Sequence, residues 1–201
     1  MQGVSGSRDA PFAVTDSPDP LAVAFAVTEV LDHLGIPNTV GGSIAGSFAG
    51  EPRSTIDIDI VAALAEDRVD AFVEALGTRF YVDEEALRRA IRNRTSANLI
   101  HRESQFKVDL FVAGGTPLDM QQIERRQPVE VGGRLLHIHP PEDILLQKLR
   151  WYRAGGEASD RQWRDIRGIV RVQARALDRA YLRANAPVLG VADLLERALR
   201  E

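Results

Sequence analysis

Two hydrophobic periods alternate along the chain. From Asp19-Pro20 to Leu34 apolar residues recur at helical intervals, with Asp and Pro placed to open a helix and Gly35 and Pro37 to stop it, which predicts a helix over 20–34. Thr39-Val40 reads as a short strand running into Gly41-Gly42-Ser43. Strict alternation takes over at Ile56-Asp57-Ile58-Asp59-Ile60 and again at Gln105–Phe111, so both stretches are predicted strands with one apolar and one polar face. Between them, residues 66–77 suit a helix with Val69, Phe72, Val73 and Leu76 on one side. Residues 83–93 suit another with Leu87 and Ile91 inward, and 97–100 a strand that enters a hairpin around Glu103-Ser104. Gly132-Gly133 predicts a second hairpin, joining Val129–Val131 to Leu135–Ile138. Beyond Pro140-Pro141 the period is helical throughout, at 142–154, 160–173, 177–185 and 191–200, with breaks at Gly155-Gly156, a short polar join and Pro187.

These elements predict an α/β (α+β) chain: a mixed β-sheet flanked by helices over residues 20–139, then a C-terminal helical part over 140–201. Residues 1–19, rich in Ser, Asp, Gly and Pro, read as a flexible tail in which only Phe12-Ala13-Val14 offers an apolar docking point. With 201 residues and 44% hydrophobic content the chain can bury a sizeable core. It has no cysteine, which excludes a disulfide scaffold and thiolate metal sites. No apolar run approaches the roughly 18 residues of a membrane helix, and the N-terminus lacks a signal-peptide pattern. A soluble, cytoplasmic protein with no membrane partner is expected.

The polar faces of the two alternating strands carry the chemistry. Side chains at i and i+2 of a strand share a face about 6.5 to 7 Å apart, so Asp57 and Asp59 present two charges to one small volume. Aspartate is depleted in strands, and two inside an isoleucine-rich run call for a cation. Asp109 shares the polar face of the second strand with Lys107. If the strands are neighbours, three carboxylates converge, and hard oxygen donors of this kind suit Mg²⁺ held together with substrate phosphates. The N–H groups of Gly41-Gly42-Ser43, opening a helix, can approach phosphate oxygens closely. Gly46-Ser47 is a second Gly-Ser pair, but it falls within the ensuing helix, so Gly42-Ser43 is preferred.

The order Gly-Gly-Ser, short helix, Arg-x-Thr, Asp-x-Asp and a distant Val-Asp-Leu-Phe strand resembles the nucleotidyltransferase superfamily that includes DNA polymerase beta. Gly50-Glu51-Pro52-Arg53-Ser54-Thr55-Ile56-Asp57-Ile58-Asp59 is similar to the Gly-x-Pro-Arg-x-Thr-x-Asp-Ile-Asp pattern of its small AbiEii-like branch. The run Pro141–Leu149 and the segment Ser159–Ile166 resemble the helical part of those proteins, so the likeness covers residues 38–170. It implies a nucleotidyltransferase-like mixed sheet and transfer of a nucleotide from an NTP to an acceptor. It further implies Mg²⁺, one ion or two with Mn²⁺ able to substitute, bridging Asp57, Asp59, Asp109 and the triphosphate. Gly41, Gly42, Ser43, Arg53 and Thr55 are then implied nucleotide contacts. Lys148 is implied as both a nucleotide contact and a catalytic residue, with Asp160 or Asp165 as its partner. For a toxin of this type, tRNA or another RNA is the implied acceptor and a cognate antitoxin the implied partner. The chain lacks the arginine that follows Gly-Ser in antibiotic-modifying relatives, which counts against their substrates. Two alternatives stand beside this reading: a non-catalytic protein of the same fold that binds a nucleotide or a partner, and a small-molecule, antibiotic-type nucleotidyltransferase.

Charge and rare residues refine the picture. The net charge is −4, yet residues 1–100 hold 8 basic against 15 acidic side chains and residues 101–201 hold 17 against 14, so the second half is the one suited to face a polyanion. Of 25 basic residues only Lys107 and Lys148 are lysines, and a compact ammonium on a flexible stem can do what a guanidinium cannot. His137 and His139 alternate onto one face as a two-histidine metal pair, with a polar strand edge as the plainer reading. Trp151, Tyr152 and Trp163 read as core packing. Asp160 and Asp165 read, on charge alone, as solvated or paired with Arg161 and Arg164.

Overall fold

The computed structural model describes residues 19–51, 57–114 and 117–201. Residues 1–18 of the predicted tail therefore lie outside the described residues. Helix α1 (Pro20–His33) opens where Asp19 Oδ1 accepts the Ala22 N–H at 2.7 Å, the expected N-cap. Strand β1 (Asn38–Val40) leads into α2 (Gly42–Ala49), and β2 (Asp57–Ala62) into a 3₁₀ turn at Glu66–Arg68 and α3 (Val69–Leu76). Then come β3 (Phe80–Val82), α4 (Glu84–Asn93, capped by Asp83), β4 (Ser96–His101), β5 (Lys107–Val112) and α5 (Pro117–Glu124). The hairpin β6 (Gln127–Val131) and β7 (Arg134–Ile138) turns through Gly132 and Gly133, both at positive φ. Helices α6 (Pro141–Ala154), α7 (Asp160–Gln173), α8 (Arg179–Asn185) and α9 (Ala192–Arg200) complete the described residues.

The seven strands form one mixed sheet in the order β3-β4-β5-β2-β1-β7-β6. β2 runs parallel to β5 and antiparallel to β1, and β1 runs parallel to β7. Alternation works as expected: Ile58, Ile60, Val108, Leu110 and Leu99 are fully buried, and α1, α3 and α4 pack together and against the sheet. The same buried cluster continues into α6, α7 and α9 through Leu145, Leu149, Ile166, Ile169, Leu194 and Leu195. Arg125 bridges Glu142 and Asp143 at the start of α6 and stacks on Tyr181 of α8, whose hydroxyl donates to Asp143 Oδ1 at 2.6 Å. Burial pushes the Asp143 carboxyl above its ordinary range, so this network holds a charge that would otherwise be costly.

Three expectations change. β7 lies between β1 and β6, so Leu135–Ile138 is not a sheet edge, and His139 just beyond it is buried. Tyr152 and Trp163 do pack, with ring centroids 5.1 Å apart, but Trp151 is 56% exposed because the neighbouring Tyr152 takes the inward face of α6. β3 and α5 were not anticipated. Three residues are too few to show a period, and α5 mixes polar and apolar positions without a stripe. Among the described residues no helix is long and apolar enough to cross a membrane.

Candidate active site

Register sets the first part of the site. β2 and β5 pair so that Asp59 stands opposite Asp109 and Asp57 opposite Lys107. Neighbouring strands lie about 4.8 Å apart, so the register places Asp59 beside Asp109, with Asp57 two residues before Asp59 on the same strand. Because Ile58, Ile60, Val108 and Leu110 take the other face, the acidic face is left partly open: Asp57 is exposed, and Asp59, Lys107 and Asp109 are half-buried.

The turn before α2 meets this face directly. Gly41 is the N-cap of α2, its N–H donating to the Asp59 carbonyl at 2.9 Å, and Gly42 and Ser43 are the first helical residues. Gly42 sits at φ +55°, and a Cβ there would overlap Asp59 Oδ2, so only glycine lets the helix start against the carboxylate. Ser47 lies within the helix, as expected, donating to the Ser43 carbonyl at 2.9 Å. The first-turn N–H groups of an α-helix have no partner within it and attract anions. His139 packs beneath the turn, where a Cβ on Gly41 would come within 3.0 Å of Nδ1. Burial lowers this imidazole to about 4 and so keeps it neutral.

Lys148 enters from α6. Its Nζ lies 2.8 Å from Asp165 Oδ2 on α7, and both side chains are largely buried, at 14% and 18% exposure. Of the two partners the resemblance implied, the structure selects Asp165, and this replaces the pairing with Arg161 or Arg164 suggested by charge alone. The stem of Lys148 lies along Gly46 of α2, where a Cβ would be 3.2 Å from Cε. A cleft of about 220 Å³ lies between α2, α6 and α7, lined by Ser43, Gly46, Ser47, Lys148, Arg161 and Arg164 among others. Arg53 and Thr55 lie outside the described residues.

Electrostatics show what the carboxylate set lacks. Burial, then the charges of Asp109 and Asp57, raise Asp59 to about 6, and Lys107 and Lys148 only partly offset them. Lys107 is itself pushed up, chiefly by its hydrogen bond to Asp109. Among the described residues no three His, Cys, Asp or Glu side chains are gathered into an ion shell. The donor set is nonetheless all oxygen, and Asp59 packs into the space left by Gly42 with its negative charge under-compensated, which fits a hard divalent cation.

No sequence-family profile and no curated protein matches the chain. Solved structures do. A nucleotidyltransferase-like antigenic protein from Paracoccidioides brasiliensis superposes with a TM-score of 0.53 at 16% identity, over 92% of this chain and 93% of the other. The antibiotic-resistance factor ANT(2'')-Ia in its complex with adenylyl-2''-tobramycin gives 0.53 at 12% identity, over 84% and 97%. Its solution structure gives 0.52 at 14%, over 92% and 100%. The chain has a nucleotidyltransferase-like fold. On this fold the Gly-Gly-Ser turn, the β2–β5 aspartates and Lys148 are brought around α2. Arg161 and Arg164 were read as ordinary helix charges, yet they line the cleft. Their spacing of three residues, on the same helix as Asp165, was the available signal. His139 under Gly41 had no such signal, since it is brought there by the β1–β7 pairing.

Proposed function

We propose that this chain is an Mg²⁺-dependent nucleotidyltransferase of AbiEii-like type, moving a nucleotide from an NTP to an RNA acceptor such as tRNA. The observation that carries the reading is the pairing of Asp59 with Asp109 against the first residue of α2, which puts a carboxylate pair and an anion-binding helix start in one place. The triphosphate lies along the first turn of α2 and under Lys148, whose ammonium neutralises phosphate charge as it emerges. An acceptor hydroxyl oxygen attacks the α-phosphorus, the bond to the bridging oxygen breaks, pyrophosphate departs, and the hydroxyl proton passes to a carboxylate of the set. Asp57, Asp59 and Asp109 would hold Mg²⁺, or Mn²⁺ in its place, which supplies charge stabilisation to the attacking and leaving oxygens.

Charge supports an RNA acceptor. Arg161, Arg164, Arg167 and Arg171 follow one another at steps of three, three and four along α7, so they form one ridge. The first two line the nucleotide cleft. Arg164, Arg167 and Arg171, with Arg179, line an adjoining groove of about 830 Å³. Glu201 and Glu51 pair with Arg167 and Arg171 and moderate the ridge, but its sign suits a polyanion and works against a cationic antibiotic. As a toxin of this type the protein would act in the cytoplasm under the control of a cognate antitoxin. The test supplies each labelled NTP with Mg²⁺ to total RNA, protein and small-molecule pools. Label is expected in RNA and is expected to be lost in Asp59→Asn. Label in the small-molecule pool would move the protein to the antibiotic-type class. Saturable NTP binding with no transfer to any pool would make it a non-catalytic binder.

A further inference from the structure

Lys107 is one of only two lysines among 25 basic residues, and it stands inside the carboxylate set. It faces Asp57 across the β2–β5 register and precedes Asp109 by two residues on the same strand face. Its Nζ lies 2.7 Å from Asp109 Oδ2, with Asp109 20% and Lys107 44% exposed. One oxygen of a carboxylate that the proposed function assigns to the metal is thus already engaged by a cation that belongs to the chain.

We propose that Lys107 is the resident cation of the site, competing with the divalent ion for Asp109 and so making tight ion uptake depend on nucleotide. This rests on the metal-dependent reading above. Mg²⁺ and Mn²⁺ need oxygen ligands at about 2.1 Å, and Mg²⁺ gives up water reluctantly, so an oxygen held by an ammonium must be released before it can serve. An ammonium next to three carboxylates also removes part of the charge that would attract a free ion. A triphosphate arriving at α2 reverses the balance, because it adds negative charge and oxygen ligands at once. The half-exposed lysine, on a flexible stem, can then leave Asp109. A guanidinium in its place would keep the charge with a flat, forked donor, which suits a lasting carboxylate pair better than a releasable one.

The test is Mn²⁺ binding to the full chain without nucleotide, by calorimetry and by electron paramagnetic resonance, for the parent, Lys107→Met and Lys107→Arg. Lys107→Met is expected to bind Mn²⁺ about tenfold tighter than the parent. Lys107→Arg should bind Mn²⁺ no tighter than the parent, because it keeps the competing charge. In chelator, Lys107→Met should melt below the parent, because Asp109 loses the ammonium bonded to it, and Mn²⁺ should restore it. With a non-hydrolysable NTP present, the difference in Mn²⁺ affinity should shrink. Equal Mn²⁺ affinity in the parent and Lys107→Met, without nucleotide, would overturn the role of Lys107 and leave the metal site standing. No saturable Mn²⁺ binding to the parent, with or without NTP, would overturn the metal site and this role with it. Should Lys107→Met fail to fold, Lys107→Gln carries the same comparison.

Discussion

At Gly42 the backbone is left-handed and Asp59 Oδ2 fills the place of a side chain, so one glycine links the helix start to the acidic face. A left-handed residue with a Cβ costs about 1–2 kcal/mol, and the displaced carboxylate adds to that. Gly42→Ala is therefore expected to lose about 2 kcal/mol or more in urea unfolding and to weaken NTP binding by calorimetry. An alanine variant as stable and as tight as the parent would remove the turn from the site. The titrating groups beside it make a second prediction at the same scale. His139 is held at about 4 against an ordinary 6.5, so between those values the unfolded chain binds more protons, and stability falls as pH drops through that window. Asp59 is held at about 6 against an ordinary 3.8, so the folded chain binds more protons there and stability rises as pH drops. In the metal-free protein the two trends oppose each other between about pH 4 and 6. Asp59→Asn removes one and exposes the other, with a loss of about 3 kcal/mol between pH 6.5 and 4. Urea unfolding of parent and variant in chelator at several pH values checks it: parallel pH curves would mean that Asp59 is not held above its ordinary range, and a variant whose stability does not fall with pH would mean that His139 is not buried as a neutral ring.

The elements that alternation or a helical stripe can mark were legible in the sequence: β2, β5, the two hairpins and the helices after Pro140 lie where the pattern put them, within a residue or two. β3 was not, because three residues cannot display a period, and the exposed Trp151 was misplaced because an aromatic on an amphipathic helix does not reveal which side of the stripe it borders. For the site, the same alternation put Asp57, Asp59 and Asp109 on polar faces. The β2–β5 adjacency that brings them together is a tertiary fact that no local signal carries. The contact between α6 and α7 is of that kind too. Lys148 and Asp165 are 17 residues apart, and their pairing closes the cleft over α2 from the helical side. Lys148→Arg keeps the charge but flattens and enlarges the donor, so NTP should still bind while single-turnover transfer slows. Lys148→Ala is expected to weaken both, and it also leaves the largely buried Asp165 without its ammonium. Unchanged NTP affinity and unchanged transfer in both variants would leave the α6–α7 pair a structural clasp.

For the whole molecule, the deciding quantity is how charge is distributed rather than its sum. The chain is acidic overall, yet the ridge on α7 runs from the nucleotide cleft into the larger groove, so an acceptor strand held there would lead its hydroxyl toward the α2 turn. Binding through phosphates releases counterions, and each lost contact lowers the salt slope of binding by about 0.7 for a single strand and 0.9 for a duplex. Arg171 and Arg179 line the groove but not the cleft, which separates acceptor from nucleotide. The Arg171→Gln, Arg179→Gln double variant should therefore reduce the slope of log affinity against log salt for a single-stranded RNA by about 1, weaken binding alike across RNA sequences, and leave NTP affinity as it was. Arg161→Gln with Arg164→Gln should weaken RNA and NTP together, because both side chains line the cleft and Arg164 lines the groove as well. Arg171 is paired with Glu51, so its share of the slope is the smaller one, and Arg179→Gln alone should account for more than half of the change. The measurement is filter binding or fluorescence anisotropy of a labelled RNA from about 50 to 300 mM salt. RNA affinity that ignores salt, or a slope the same in both double variants and the parent, would take the acceptor off this face of α7.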